Sequence, residues 1–107
     1  MKKTFSIVAL LLLLAACASK KATTTGALTD ADGARAAAKY SGASLATLQK
    51  GKLMYEENCG TCHSLKSTTD YNPEQWGKHV KRMAPKAKID AATETLILQY
   101  VVTMCGQ

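Results

Sequence analysis

The chain has few aromatic residues and little that breaks a backbone: one Trp, one Phe, four Tyr and two Pro in 107 residues. So few rings leave no aromatic platform interleaved with basic residues, the surface on which nucleic-acid bases stack. Arginine is nearly absent too, with Arg35 and Arg82 the two examples, so no arginine-rich patch supports phosphate binding. No stretch alternates apolar and polar residues convincingly with period two, so there is no strand signal. The longest apolar run, residues 5–16, is short of the roughly 20 residues that a membrane-crossing helix needs. No segment repeats another. These absences exclude a nucleic-acid binder, a sheet protein and a helical membrane span.

What is present begins with "MKKTFSIVALLLLLAACASK". Two lysines followed by a short apolar run and small residues are the layout of an export signal. Leu14-Ala15-Ala16-Cys17 resembles the bacterial lipoprotein processing site. That resemblance implies a signal peptide over 1–16, a lipid on Cys17 and attachment to the cell envelope facing the periplasm, with Ala18 pointing to the outer membrane. The formal charge of +6 falls to +4 without Lys2 and Lys3, a mild excess. Residues 17–43 are rich in Ala, Thr, Gly and Lys and read as a flexible linker. The run from Asp32 to Tyr40 has helix-forming alanines but no apolar stripe with which to dock. One domain is expected over 44–107, small enough to need a covalent or metal staple.

Residues 58–66, "NCGTCHSLK", put Cys59, Cys62 and His63 within five positions. With 4 Cys and 2 His in the chain, chance would give Cys-x-x-Cys-His about 0.003 times. Three chemistries use such a set. Zinc takes about four ligands, and besides Cys17 only Cys105 and His79 remain, without a second paired knuckle. A thioredoxin-like dithiol wants its cysteines between a strand and a helix, and no β-rich run precedes Cys59. The third is covalent attachment of one c-type haem, of which Cys-x-x-Cys-His is the signature. On one helical turn, positions i and i+3 face the same side, so Cys59 and Cys62 can form thioethers to one porphyrin edge, with His63 as proximal iron ligand. Cys105 is left as an odd thiol, expected to be buried in the last helix.

Three helices are expected around this motif. Ser44 caps the first, which carries Leu45, Leu48, Gly51 and Tyr55 into Cys59. Gly51 calls for a close neighbour, a side chain of the last helix. Asn72-Pro73 reads as cap and first turn of the next helix, with Trp76, His79, Val80 and Met83 on one face. Asp90 caps the last, where Ile97, Tyr100, Val101 and Met104 repeat at helical spacing. The fold class is all-α.

A Gly-x-x-x-Tyr helix entering Cys-x-x-Cys-His, closed by a helix of aromatic and aliphatic contacts, resembles the class I c-type cytochromes. "YNPEQWGKHVKRM" is similar to the Trp-x-x-x-Val-x-x-Met stretch of short bacterial members. The resemblance implies a cytochrome c-like domain built around one covalent haem c, carrying single electrons between redox partner proteins and not an enzyme by itself. Met83 is the expected distal ligand and His79 the competitor one turn earlier; Met54 and Met104 read as core. Trp76 and Tyr71 are candidates for packing on the macrocycle or meeting its propionates, or are ordinary core aromatics. Lys66, Lys78, Lys81, Arg82, Lys86 and Lys88 would give a basic docking face. Two other readings stay open: a haem-based gas binder or sensor with an open or displaceable sixth position, and a subunit docked to a larger oxidoreductase.

Overall fold

In the computed structural model of this protein, residues 27–62 and 64–107 are described. The expected signal peptide, Cys17, the first part of the linker and His63 lie outside them. The described chain is all-helical: α1 (Asp30–Lys39), α2 (Leu45–Cys59), a short 3-10 turn (Thr68–Asp70), α3 (Pro73–Ala87) and α4 (Ala91–Met104).

Each helix starts where a short polar side chain takes up an orphan backbone N–H. Thr29, Ser44 and Asn72 each form a reciprocal capping box with the third helical residue, and the Asp90 carboxylate accepts from the Thr93 N–H at 2.7 Å. Pro73 occupies the first turn of α3, where its missing N–H costs nothing. Lys88 closes that helix in the left-handed conformation at φ 55°.

Helices α2 and α4 make the main contact, and α3 lies on α4, while α2 and α3 scarcely touch each other. Gly51 sets the α2–α4 crossing. A Cβ there would collide with the Leu96 carbonyl oxygen and stand 3.0 Å from Tyr100 Cβ. The close neighbour is thus the backbone of the last helix first, and a side chain second. Around this crossing Leu48, Ile97 and Val101 are fully buried. A row of rings continues the core: Tyr71 meets Trp76 edge-on at 5.0 Å, Trp76 meets Tyr55 edge-on at 5.9 Å, and Tyr55 meets Tyr100 at 5.9 Å.

Two expectations are corrected. The described fold has four α-helices, not three, because part of the segment read as linker up to residue 43 is helical and packed. Helix α1 lies against both α2 and α4, with Ala36 and Ala43 buried in the common core and Leu28 and Tyr40 packed beside them. It docks through small residues instead of a large apolar stripe. A Cβ on Gly33 would stand 2.8 Å from the Leu45 nitrogen. Asp32, also buried, is tied to the Thr29 N–H at 2.7 Å and ion-paired with Arg35.

Candidate functional site

The second correction concerns α3, whose expected single face is two. Trp76, Val80 and Ala84 are buried in the core. His79 and Met83, half-buried, turn instead toward a cleft that they line with Lys86 and Ala87. The facing wall is the C-terminal end of α2 and the residues after it: Asn58, Cys59 and Cys62. The structure therefore brings Cys59, Cys62, His79 and Met83 to one place. The cleft holds about 200 Å³ and its walls are mainly apolar.

Cys59 is the last residue of α2 and half-buried, and burial pushes its thiol pKa up. Reactive dithiols sit at helix N-termini, where the positive end of the dipole favours thiolate. Here Cys59 closes a helix at its C-terminus, where the negative end of the dipole favours the thiol. Cys62 is exposed, with the Thr61 hydroxyl 3.8 Å from its sulfur. Asn58 is fixed by donating from Nδ2 to the Met54 carbonyl at 2.8 Å.

The two candidate distal ligands differ in what already holds them. The Arg82 guanidinium lies 3.2 Å from His79 Nδ1. Because guanidinium can only donate, Nδ1 must accept, which leaves the neutral ring's proton on Nε2. A histidine that ligates iron through Nε2 normally carries its proton on Nδ1 and donates it outward. Arg82 thus opposes that tautomer in His79, whose ring is also packed 5.1 Å from Tyr71 and 5.6 Å from Trp76. Met83 offers a soft thioether from the same helix, one turn on.

Trp76 is fully buried behind the cleft, not on its wall, and its Nε1–H donates to the Thr68 carbonyl at 2.8 Å. Tyr71 is half-buried between Trp76 and His79. Both stand where core aromatics stand, away from the cleft lining. Met54, Met104 and Cys105 pack against the core, the Cys105 thiol donating to the Val102 carbonyl at 3.1 Å. Lys66, Lys81, Arg82, Lys86 and Lys88 are exposed, and Lys78 is paired with Glu74 at 2.7 Å. Asn58 and Ala87 escaped sequence reasoning. Spacing from His79 and Met83 at i+4 and i+8 points to Ala87, whereas nothing local singles out Asn58.

The donor set fits a covalently held porphyrin. Two thiols three residues apart stand across an apolar gap from a thioether. The volume is below the roughly 300–1,000 Å³ of most small-molecule sites. A macrocycle would therefore keep much of its surface in solvent or need the walls to move apart. Comparison with known protein families, curated sequences and solved structures gives no match.

Proposed function

We propose that the chain is a lipid-anchored monohaem c-type cytochrome that carries single electrons at the periplasmic face of a bacterial envelope. The observation that carries this reading is the cleft in which Cys59 and Cys62 face Met83. Cys59 and Cys62 would hold the haem by thioethers, with His63 and Met83 as axial ligands and His79 kept from that role by Arg82. When bound, the haem supplies a one-electron iron centre, and the redox chemistry belongs to it. The chain's own contribution is to attach, to exclude water with Met83 and Ala87, and to present a docking face. Thioether ligation by Met83 would raise the reduction potential relative to a second imidazole. Lys86, which lines the cleft, and the exposed Lys81 and Lys88 elsewhere on α3 and at its cap suit an acidic redox partner and would speed encounter at low salt. Cys17 would carry the lipid, and residues 18–26 would set the reach of the domain from an outer membrane.

An optical spectrum and redox titration of the purified holoprotein, followed by exposure of the ferrous form to carbon monoxide, tests this reading. A low-spin spectrum that resists carbon monoxide is expected. Ready binding would favour a gas binder with an open sixth position, and absence of haem would remove both readings.

A further inference from the structure

Between the attachment motif and α3 runs a segment, residues 64–72, that belongs to no α-helix and contains the 3-10 turn Thr68–Asp70. Two buried aromatic side chains reach it from opposite walls of the cleft. Tyr55, on α2, donates its hydroxyl to the Lys66 carbonyl at 2.5 Å. Trp76, on α3, donates its indole N–H to the Thr68 carbonyl at 2.8 Å. These bonds act three and five residues beyond His63 in the sequence. Both donors are almost wholly buried, and their rings meet edge-on at 5.9 Å, so neither has room to swing.

We propose that Tyr55 and Trp76 are positioning residues that fasten this segment to both walls and so set the spacing between the Cys59–Cys62 wall and Met83. The proposal rests on the haem reading above. Its physical content is that α2 and α3, each packed on α4, meet directly in little more than the Tyr55–Trp76 ring pair. The fastened segment adds a second link between the two helices. Removing the Tyr55 hydroxyl releases the carbonyl of Lys66, an exposed residue, from a buried donor, at about the net value of one hydrogen bond. Burial, and after it the neighbouring Cys59, Tyr100 and Asp70, push the Tyr55 hydroxyl pKa far above its ordinary value. It therefore stays a donor across the accessible pH range.

Tyr55→Phe is the decisive variant, since it removes one oxygen and keeps the ring in the core. With one fastening lost, Met83 should hold its iron position less firmly. The expected result is a three- to tenfold rise in carbon monoxide affinity of the ferrous protein, about the range that one net hydrogen bond carries, with a lower reduction potential. Trp76→Phe should move both quantities the same way, and if it fails to fold, Tyr55→Phe decides alone. Tyr100→Phe is the control, for it takes a hydroxyl from the same row of rings without touching the segment, and both readouts should stay at the wild-type value. A Tyr55→Phe protein with lower melting temperature but unchanged potential and carbon monoxide affinity would make Tyr55 an ordinary core residue and overturn the proposal. If the wild-type chain carries no haem, the cytochrome reading fails before any variant is made, and the positioning claim fails with it.

Discussion

The middle and the C-terminal end of α2 are built to opposite rules. Midway along it, at Gly51, the helix lies so close to α4 that no Cβ fits between them, and Leu48, Ile97 and Val101 leave no exposed surface. At its C-terminal end, Cys59 and Cys62 face His79 and Met83 across a gap that the chain does not fill. Small domains have little core to give away, so an apolar gap costs stability that the fold must recover from something placed there. The difference teaches where to look for chemistry. The region that satisfies itself is structural, and the region that leaves soft donors and apolar carbons half-covered is where we propose that a ligand sits.

Substitutions should separate these regions by what they damage. The largest loss of stability is expected at the filled crossing. Gly51→Val drives two methyls against the Leu96 carbonyl, a backbone atom with no freedom to turn aside, and should cost about 3 kcal/mol or more in chemical denaturation. An unchanged midpoint would mean that α2 and α4 do not cross as described.

A smaller effect is expected where α1 docks. Asp32 loses solvation by burial, which raises its pKa, but its bonds to Thr29 and its pairing with Arg35 outweigh this and leave the carboxyl below its ordinary value of 3.8. A carboxyl with a depressed folded pKa stabilises fully above its unfolded value and progressively less as pH falls through the folded one. Acid below about pH 4 should therefore loosen α1, read as faster amide exchange in residues 30–39 than in α4. Asp32→Asn should weaken the docking at neutral pH by about 1–3 kcal/mol and flatten that acid response. Equal exchange in both helices of the variant and the wild type at all pH values would refute the role of the pair.

The smallest effect on stability is expected in the cleft. Met83→Ala in the haem-free chain should cost about 1 kcal/mol or less, since a half-exposed side chain recovers only part of its transfer energy. In the holoprotein the same change should lower the reduction potential and admit carbon monoxide, while His79→Ala should alter neither. The reverse pattern would make this a bis-histidine site with Met83 as filling. Raising ionic strength should also slow electron exchange with an acidic partner, because the exposed basic residues of α3 and its cap act through a screened field.

Much of the fold could be read from short-range signals. Ser44, Asn72-Pro73 and Asp90 mark helix starts because a cap depends only on its neighbours along the chain. Gly51 marked a close approach because a helix rarely keeps a glycine without one. Helix α1 was misread for a physical reason: Gly33 and Ala36 bury by nearness of backbones, which leaves no large apolar stripe, and Asp32 looks solvent-facing until its partners are known. The site was half legible. Cys59, Cys62 and Met83, singled out by type and spacing, do line one cleft. That Trp76 and Val80 turn away from Met83 depends on where α4 lies, which no local pattern carries.

The central claim is that the cleft at the end of α2 is filled by a haem bonded to this chain. Mass spectrometry of the denatured protein, purified from a periplasm competent for haem attachment, tests it directly. The account predicts a polypeptide heavier by one haem with no free thiol at Cys59 or Cys62, and loss of stable haem protein in Cys62→Ala. A wild-type chain at its bare mass, folded and with both thiols open to alkylation, would contradict it.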